Sequence, residues 1–464
     1  MKKIIAMFML FILAVPAFAV TTEKLKFGRF GTVYLYKQSA QPSNVVLFIS
    51  GDGGWNLGVV DMAVSLAGMD SLVAGIDITH YLKQMQSGSG TCAYPASDFE
   101  LLSKFVQKSL KFPAYLPPVI VGYSSGATLA YAIVAQAPPN TFAGAISLGF
   151  CPDLDLKKPL CKGSGLISQP GAKGKGYIFS PDPGLETRWI AFQGMIDQVC
   201  DQKATDDFVK KTRDAQVVLL PKVGHGFSVQ KNWLPQFTQT YARLIKKQEP
   251  AGARMPETLN DLPLIELPAR NDGREFMAVI VTGDGGWAGI DREIGKSLAG
   301  QDIPVVGFNT LQYFWTRRTP EQAAKDLERV LNHYLSSWKK EKVILIGYSL
   351  GADVLPFMAG RLPKELLDKV SLIALLGPDK QVDFEFHVSD WASDVVRETD
   401  MSVLPEVEKM RGNKIACFYG EDETDSLCKD LNPKSVKVIM LPGAHHFGGN
   451  YEQIAKMILD AAKE

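Results

Sequence analysis

Two motifs occur twice in this chain, in the same order and at nearly the same distance, and this internal repeat limits what the chain can fold into. The sequence Gly-Asp-Gly-Gly-Trp at residues 51–55 returns at 283–287, 232 positions later. The sequence Gly-Tyr-Ser-x-Gly-Ala at 122–127 returns at 347–352, 225 positions later. A repeat of this length is a whole domain rather than one unit of a solenoid. The sequence therefore predicts two similar domains in tandem.

Length and composition agree with two globular domains. The chain has 464 residues, of which 46% are hydrophobic and 22% charged, and these values exclude disordered and fibrous classes. The repeat and a polar, proline-containing stretch predict an N-terminal domain at 20–247, a linker at 248–256 and a C-terminal domain at 257–464.

The first nineteen residues have the pattern of a cleaved signal peptide. Lys2 and Lys3 precede an apolar run at 4–15 that is too short to span a bilayer. Residues 17–19, Ala-Phe-Ala, are typical of a cleavage site. We therefore expect the mature protein outside the cytoplasm.

The cysteines fit an oxidising compartment, because their number is even. We expect Cys417 to pair with Cys428, which is close in sequence. No metal site is expected, since no Cys-x-x-Cys or His-x-x-x-His spacing is present. Three connectivities stay open for the other four cysteines, which are Cys92, Cys151, Cys161 and Cys200.

The charge balance disfavours one class of partner. The chain has 50 Lys and Arg residues against 50 Asp and Glu residues, and no local basic stripe. Nucleic acid is therefore not an expected partner. No motif calls for an organic cofactor, so none is expected.

Short β-branched runs alternate with helical patterns in both copies. This alternation predicts an α/β fold, a mostly parallel sheet flanked by helices in each copy. Predicted strands at 45–50 and 278–282 lead into the Gly-Asp-Gly-Gly turns, and strands at 118–121 and 342–346 lead into Gly-Tyr-Ser. Ligands bind at the carboxyl ends of such strands. Both motifs are therefore expected at the edge of the sheet that holds a site.

Ser124 and Ser349 lie at the centre of Gly-x-Ser-x-Gly motifs. Each motif follows an apolar strand and begins a helix, which is the context of the nucleophile elbow of α/β-hydrolases. The glycines are needed because a neighbouring Cβ would clash in so sharp a turn. A single Gly-x-Ser-x-Gly match arises easily by chance. Two matches at equivalent positions of the repeat are strong evidence for a nucleophile elbow in each copy. The chain is predicted to be a tandem duplication of two α/β-hydrolase domains.

A serine nucleophile needs a histidine base and an orienting acid, in the chain order Ser, acid, His in this architecture. In the first copy, Asp197 follows a predicted strand at 188–193, and His225 follows a predicted strand at 217–220. Ser124, Asp197 and His225 are therefore the first predicted triad.

The acid of the second copy lies in the acidic loop that follows a predicted strand at 414–419. Asp425 is preferred because it lies three residues before a cysteine, as Asp197 does. Glu423 is the alternative, because it lies three residues after the glycine that ends the strand, again as Asp197 does.

Two adjacent histidines, His445 and His446, are candidates for the second base. In the first copy the base lies four residues after the proline that follows the strand, and the same count in the second copy selects His446. If the phenylalanine that follows the base is aligned between the two copies instead, the base is His445. We prefer His446, so the second predicted triad is Ser349, Asp425 and His446.

The Gly-Asp-Gly-Gly turns are predicted to stabilise an oxyanion. The backbone N–H groups of Gly53 and Gly285 would act with those of Ser125 and Leu350, which follow the serines. A tight turn that needs positive φ is the structural alternative. Phosphate binding is not favoured, because no Gly-Lys-Ser/Thr follows.

Residues 313–318, Tyr-Phe-Trp-Thr-Arg-Arg, precede a predicted helix. In one interpretation they receive an anionic, partly apolar substrate, with Tyr313 and Trp315 as apolar contacts and Arg317 or Arg318 on a phosphate. In the other they form a helix-entry loop with solvated arginines.

Residues 384–388 alternate polar and apolar side chains. This alternation predicts an edge strand or a cap hairpin over the second site. His387 within it is expected to be structural.

These motifs resemble the AcvB/VirJ family of bacterial virulence-associated α/β-hydrolase proteins. The resemblance is carried by both Gly-Asp-Gly-Gly-Trp motifs and by residues 313–315, 318–321, 347–353 and 442–447. It covers essentially the whole mature chain and is to the two-domain form, whereas the VirJ type resembles the C-terminal half.

The resemblance implies a periplasmic lysyl-phosphatidylglycerol hydrolase whose lipase-type serine corresponds to Ser349. Ser349 would attack the lysyl carbonyl, His446 would take the proton and Asp425 would orient the imidazole. The cationic lysyl group favours carboxylates near the pocket, such as Asp353 or Glu421, and the arginines would meet the lipid phosphate. The expected partner is thus an aminoacylated anionic phospholipid, reached by transient contact with a membrane surface.

Two other functions agree with the sequence. A triad determines the reaction class but not the leaving group, so another periplasmic ester is a possible substrate. The chain would alternatively be a non-catalytic partner of an envelope secretion system. Because both copies carry a complete set of residues, the sequence does not confine activity to one domain.

Overall fold

The described part of the chain contains two large sheets, one from each copy of the repeat. The predicted linker and residues 1–18 of the predicted signal peptide lie outside the described residues. The computed structural model describes residues 19–246, 259–269, 271, 275–388, 397–410 and 412–463.

The N-terminal domain contains eleven strands and six helices among its described residues. The strands are β1 (Thr21–Phe27), β2 (Gly31–Lys37), β3 (Asn44–Ile49), β4 (Ser71–Ile76), β5 (Val119–Tyr123), β6 (Gly144–Leu148), β7 (Asp153–Leu154), β8 (Ser168–Pro170), β9 (Tyr177–Phe179), β10 (Trp189–Gly194) and β11 (Ala215–Leu220). The helices are α1 (Leu57–Ala67), α2 (Ile78–Met85), α3 (Pro95–Ser109), α4 (Ser125–Gln136), α5 (Gln202–Lys210) and α6 (Leu234–Lys246).

The large sheet of this domain has the strand order β1-β2-β4-β3-β5-β6-β10-β11. β2 is antiparallel to β1 and β4, and the other neighbours are parallel. Alternate residues of β3 enter two different cores, with Leu47 on one face and Phe48 on the other. α1 and α6 cover one face, and α2 to α5 cover the other. This two-sided burial is why the strands read as continuous apolar runs.

The C-terminal domain contains nine strands and seven helices among its described residues. The strands are β12 (Leu264–Leu267), β13 (Phe276–Val281), β14 (Val305–Phe308), β15 (Lys342–Tyr348), β16 (Val370–Leu376), β17 (Gln381–Val382), β18 (Met401–Ser402), β19 (Ile415–Gly420) and β20 (Lys437–Leu441). The helices are α7 (Gly289–Gly300), α8 (Thr310–Tyr313), α9 (Pro320–Ser337), α10 (Leu350–Ala359), α11 (Lys364–Leu367), α12 (Leu404–Lys409) and α13 (Tyr451–Lys463).

The second sheet repeats the order of the first without its outermost strand. Its order is β12-β14-β13-β15-β16-β19-β20, with β12 antiparallel and the other strands parallel. α7 and α13 pack on one face, and α9, α10 and α12 pack on the other. The predicted class, a tandem pair of α/β domains with mostly parallel sheets flanked by helices, is confirmed.

The tryptophan of each Gly-Asp-Gly-Gly-Trp motif packs on a glycine of the neighbouring strand. A Cβ built on Gly75 in β4 would lie 2.1 Å from a ring atom of Trp55. A Cβ built on Gly307 in β14 would lie 2.4 Å from a ring atom of Trp287. The tryptophans therefore anchor the turns to the sheet, which sets the position of the preceding glycines.

Aromatic side chains join the two domains. Trp315 is buried, and its indole N–H donates to the carbonyl of Phe112 at 2.8 Å. Its ring stacks on Phe386 and also contacts Tyr115 of the first domain. The domains therefore share a small apolar core.

Three disulfides are present. The structure joins Cys417 to Cys428, the pair expected from the sequence. The remaining bonds are Cys92–Cys161 and Cys151–Cys200. Among the described residues, no helix combines the length and the apolar character that crossing a bilayer requires.

The backbone contact beneath the second elbow predicts a strong effect on stability. A Cβ at Gly351 would lie 1.9 Å from the carbonyl oxygen of Val281. We expect Gly351→Ala to destabilise the C-terminal domain by about 3 kcal/mol and to lower its calorimetric unfolding temperature by roughly 6–12 °C.

Gly300→Ala is the matched control, because a Cβ at this helical glycine meets no atom within 4 Å. It is expected to change stability by less than about 1 kcal/mol. Equal effects of the two substitutions would contradict the backbone contact.

Candidate active site

Ser124 lies on the sharp turn between β5 and α4. Its backbone has φ 55° and ψ −124°, a conformation that is costly for a residue with a side chain. A Cβ at Gly122 would lie 2.0 Å from the carbonyl oxygen of Gly126, and one at Gly126 would lie 2.3 Å from that of Ser50. The two glycines therefore allow the strand, the turn and the helix to touch at the backbone. The strained turn holds the serine at the carboxyl edge of the sheet.

The structure brings Ser124, His225 and Asp197 into one hydrogen-bonded chain. Ser124 Oγ lies 2.8 Å from His225 Nε2, and His225 Nδ1 lies 3.0 Å from Asp197 Oδ2. The Asp197 side chain is fully buried, and its other oxygen accepts from the backbone N–H groups of Val199 and Cys200 at 2.8 and 3.0 Å. Such an arrangement can remove the proton from the serine and stabilise the resulting imidazolium.

A disulfide holds the acid loop of this first site. Cys200 is bonded to Cys151, which follows β6. Potential metal-ligand atoms of Asp197, Cys200 and His225 lie within 4.8 Å of one another. Because Cys200 Sγ is committed to the disulfide and Asp197 is bonded to His225, these residues fit a triad better than a metal site.

Ser349 occupies the same strained turn in the second domain, between β15 and α10. Its φ is 51° and its ψ is −123°. Its backbone N–H donates to the carbonyl of Leu376 at 2.9 Å, as that of Ser124 donates to Leu148 at 2.9 Å. The two elbows therefore have the same local geometry.

His445, and not His446, takes the place of His225 in the second domain. The hydroxyl of Tyr123 donates to the carbonyl of His225 at 3.1 Å, and the hydroxyl of Tyr348 donates to the carbonyl of His445 at 3.3 Å. His446 instead has its Nδ1 3.2 Å from the Tyr348 hydroxyl. The structure thus corrects the preferred assignment of the second base.

Loop length explains this correction. The histidine follows the proline by four residues in the first copy and by three in the second. Phe227 and Phe447 both have left-handed φ, 46° and 50°, and so mark the equivalent turn. The pKa of His446 lies below its ordinary value, because the ring is partly desolvated and lies beside the His445 imidazole.

The tyrosine before each serine is a positioning residue that sequence reasoning missed. Tyr123 and Tyr348 both tether the loop that carries the base. Their occurrence in both copies of Gly-Tyr-Ser is the signal that identifies them.

Glu423 supplies the carboxylate of the second site. Its Oε1 lies 2.6 Å from His445 Nδ1, and its Oε2 accepts from the backbone N–H of Gly420 at 2.5 Å. The Asp425 side chain is 83% exposed and pairs with Lys380 at 2.7 Å. The structure therefore corrects the preferred acid from Asp425 to the alternative, Glu423.

The cysteines that favoured Asp425 are not equivalent. Cys200 is bonded to Cys151, whereas Cys428 is bonded to Cys417. The acid must reach the histidine from the end of its strand, so the number of residues between the strand end and the acid decides its position. Glu423 lies three residues after the strand end, as Asp197 does.

The second site is more open than the first. Among the described residues, Ser349 Oγ forms no hydrogen bond with either imidazole. The His445 side chain is 38% exposed, compared with 18% for His225. The serine–base contact of such sites often tightens only in the substrate complex. The second site is thus a Ser–His–Glu set with its acid–base pair already formed.

The Gly-Asp-Gly-Gly turns pass beside the serines. A Cβ at Gly51 would lie 3.0 Å from the Cβ of Ser124, and one at Gly283 would lie 3.5 Å from that of Ser349. The start of each turn therefore lies directly against the nucleophile elbow of its domain.

Gly53 and Gly285 are both exposed, and the nearest atom to a Cβ built on Gly53 would be the side-chain nitrogen of Asn56 at 3.9 Å. Positive φ in these turns belongs to the next residues, Gly54 at 76° and Gly286 at 73°. A Cβ at Gly285 would meet no atom within 4 Å. Among the described residues, the N–H groups of Gly53 and Gly285 donate to no protein acceptor. They can therefore serve an oxyanion, together with those of Ser125 and Leu350.

A family comparison identifies the second domain. The family model described as bacterial virulence protein (VirJ) matches residues 275–464. The C-terminal domain belongs to the VirJ family. No curated protein matches the chain significantly.

Solved structures of hydrolases match about half of this chain. The esterase domain of a Rhodothermus marinus protein is 14% identical, with a TM-score of 0.33, and the match covers 48% of this chain and 98% of that chain. A thermophilic esterase from Thermogutta terrifontis is 17% identical, with a TM-score of 0.34 and coverage of 50% and 95%. An α/β serine hydrolase without a lid from Xanthomonas campestris is 17% identical, with a TM-score of 0.32 and coverage of 50% and 96%.

The aromatic residues at 313–315 do not line the VirJ-family site. Trp315 lies in the domain interface described above. Tyr313 is buried, and its hydroxyl donates to Asp326 at 2.6 Å. The predicted substrate contacts of Tyr313 and Trp315 are thus corrected to structural roles, because burial keeps both rings from a ligand.

The two arginines are also structural. Arg317 makes two hydrogen bonds with Asp383, at 3.0 and 2.9 Å, and an ion pair with Glu385 at 3.3 Å. The Arg318 guanidinium lies 5.0 Å from the centre of the Tyr313 ring and donates to the carbonyl of the same residue at 3.4 Å. These contacts favour the helix-entry interpretation, with the arginines bound to carboxylates and to the Tyr313 ring instead of being solvated.

Residues 384–388 form no strand, contrary to the prediction. The carbonyl of Phe384 accepts from the N–H of Arg318 at 2.9 Å, and the N–H of Phe386 donates to Phe314 at 2.7 Å. The segment is thus bonded to the helix-entry loop. His387 lies 2.9 Å from Asp383, which is a structural contact.

Asp353 is buried in α10 rather than placed at a pocket mouth. Its Oδ1 accepts from the backbone N–H of Asp379 at 2.7 Å. Burial, with Asp379 and Asp284 nearby, raises the pKa of Asp353 well above its usual range. The expectation that Asp353 receives the substrate cation is therefore corrected.

The loops that carry the two acids differ in chemical character. In the first domain this loop exposes the apolar side chains of Met195, Ile196 and Val199. In the VirJ-family domain the corresponding loop exposes Glu421 and Asp422. The first site therefore has an apolar rim and the second an acidic rim.

The assignment of Glu423 predicts how Ser349 reacts with a serine-directed phosphonate. In a Ser124→Ala background, we expect Glu423→Ala to slow the labelling of Ser349 about a hundredfold or more, because the imidazole loses its orienting carboxylate. Asp425→Ala should change the rate by less than about threefold. The opposite ranking would restore Asp425 as the acid.

The buried Asp353 predicts a pH-dependent gain in stability. Since the folded state raises its pKa above the ordinary 3.8, its destabilising effect is absent below that pH and grows as the pH rises. Asp353→Asn should therefore stabilise the domain more at pH 8 than at pH 4. Thermal unfolding at both pH values tests this, and an equal shift at both contradicts it.

Proposed function

We propose that this chain is a serine esterase of the bacterial envelope whose VirJ-family domain hydrolyses the aminoacyl ester of lysyl-phosphatidylglycerol. The observation that carries the proposal is an elbow serine, Ser349, in the same domain as a histidine hydrogen-bonded to a carboxylate, His445 with Glu423. The family resemblance supplies the substrate. The three disulfides support an oxidising compartment such as the periplasm.

In the proposed reaction, Ser349 Oγ attacks the lysyl carbonyl while His445 takes the hydroxyl proton. Glu423 orients the imidazole and stabilises its charged form. The N–H groups of Gly285 and Leu350 bind the oxyanion. The C–O bond to glycerol breaks as His445 returns the proton to the departing oxygen. Water, activated by the same histidine, then cleaves the lysyl-serine ester and releases lysine.

The acidic rim supports a cationic acyl group. Glu421 and Asp422 are exposed on the loop that carries Glu423. Asp284, in the Gly-Asp-Gly-Gly turn, is half-buried, and its carboxylate forms no ion pair among the described residues. Carboxylates around the mouth raise the local concentration of a lysyl ester and favour it over a neutral acyl ester. Contact with the membrane surface would be transient.

The first domain favours a second activity, on esters with apolar acyl groups. Its Ser124–His225–Asp197 chain is fully hydrogen-bonded. The exposed side chains of Ile196 and Val199 beside it offer an apolar surface to a substrate. The chain would thus carry two esterase sites of different preference.

Backbone strain argues for catalysis over a scaffold role in an envelope secretion system. Left-handed backbone at Ser124 and Ser349 is costly and serves to expose a nucleophile. A scaffold needs neither this turn nor a buried acid–histidine pair.

Purified protein, Ser124→Ala, Ser349→Ala and the double variant should be compared on lysyl-phosphatidylglycerol and on a neutral acyl ester of similar size. We expect Ser349→Ala to lower lysine release by about a thousandfold or more, and Ser124→Ala to lower it by less than twofold. Hydrolysis of the neutral ester should depend mainly on Ser124.

Each alternative has its own outcome. Lysine release that survives in Ser349→Ala and disappears in Ser124→Ala would move the lipid site to the first domain. Turnover of neutral esters without lysine release would favour another esterase. If a phosphonate labels neither serine, the scaffold function is favoured.

A further inference from the structure

We infer that the N-terminal domain completes the oxyanion hole of the VirJ-family domain, with Lys104 as the positioning residue. This inference rests on the proposed function, because it concerns the oxyanion formed at Ser349. It adds a residue from the other domain to the second site.

Lys104 crosses the domain interface to reach the second oxyanion turn. It lies on α3, and its side chain is fully buried. Its Nζ is 2.7 Å from Glu100 and donates to the backbone carbonyl of Asp284 at 3.3 Å. The ring of Phe386 lies 5.4 Å from the ammonium group. A buried ammonium so placed is held in one position.

The bonded carbonyl belongs to the peptide unit that carries a predicted oxyanion donor. The carbonyl of Asp284 and the N–H of Gly285 form one peptide group, which is trans because the described chain contains no cis bonds. In a trans peptide these two groups point in opposite directions. The ammonium of Lys104 therefore turns the Gly285 N–H away from the interface. It also polarises the unit and makes the N–H a stronger donor.

A second contact holds the other end of the turn. Asn140 of the N-terminal domain donates through Nδ2 to the carbonyl of Trp287 at 3.3 Å. Glu186 of the same domain pairs with Arg292 and Lys296 on α7, the helix that follows the turn. The whole segment from Asp284 into α7 is thus oriented by the N-terminal domain.

The first site lacks this support. Asp52 and Gly53 are exposed, and among the described residues the carbonyl of Asp52 accepts no hydrogen bond. The first oxyanion turn therefore depends on its own domain. The dependence is one-way: Ser349 needs the N-terminal domain, whereas Ser124 does not need the contact made by Lys104.

The test uses the full chain with Lys104→Met, which removes both the charge and the donor, and Lys104→Gln, which keeps a neutral donor. We expect Lys104→Met to slow phosphonate labelling of Ser349 about tenfold or more, and Lys104→Gln to have a smaller effect. Both serines are followed in the same sample as separate labelled peptides. Labelling of Ser124 should change by less than twofold, which shows that the first domain remains folded.

Kinetics on the lysyl ester separate positioning from general damage. In a Ser124→Ala background, Lys104→Met should lower kcat about tenfold and change KM by less than twofold, because the oxyanion exists only in the transition state. Loss of substrate binding would raise KM instead and would overturn the inference.

Lys108→Met is the matched control, on the same helix and in the same interface. Lys108 Nζ donates to the carbonyl of Trp315 and pairs with Glu385 at 3.3 Å, but it does not touch the oxyanion turn. It should change the reactivity of Ser349 by less than twofold.

Three further outcomes would overturn the inference. In the first, Lys104→Met and Lys108→Met slow Ser349 equally, so that domain docking alone matters. In the second, Ser349 of Lys104→Met is labelled as fast as in the wild type, which refutes the inference and leaves the proposed function intact. In the third, wild-type Ser349 takes no phosphonate, which refutes the proposed function of this site together with the inference.

Discussion

The structure depends on a steric constraint at two turns, where a serine with left-handed φ connects a central strand to a helix. Glycines on both sides let backbone touch backbone, at Gly122 with Gly126 and at Gly347 with Gly351. Such close contact requires the helix to pack directly on the strand. In both sheets this strand has a neighbouring strand on each side. The elbow thus couples the fold of each domain to the exposure of its serine.

The two copies share this scaffold and differ in the loops around it. Loops at the carboxyl edge tolerate insertion and deletion, because they carry few of the contacts that hold the sheet. The histidine follows its proline by four residues in the first copy and by three in the second, and the acid loops are held by disulfides that are not equivalent. The first site has an apolar rim, whereas the second has an acidic rim and a more exposed histidine. The two copies thus present different surface chemistry on one architecture.

The interface between the domains gives the second site a different environment from the first. Residues 313–318, which resemble a substrate loop in sequence, are occupied by contacts with α3 and with carboxylates of their own domain. The same helix sends Lys104 to the carbonyl of Asp284. Because a buried ammonium needs partners, this contact ties the turn at Asp284 to the first domain.

The sequence by itself determined the duplication, the parallel α/β class, both elbow serines and the members of the first site, because each follows from local spacing or strand pattern. It proposed both His445 and Glu423 only as alternatives to residues that it ranked higher. Tertiary structure decided between them, since a change of one or two residues in a loop shifts the count along the chain while the strand ends stay in place. The tertiary structure also showed that Trp315, Arg317 and Asp353 make structural contacts within the protein. Burial between distant segments, unlike periodicity, leaves no mark in the local sequence.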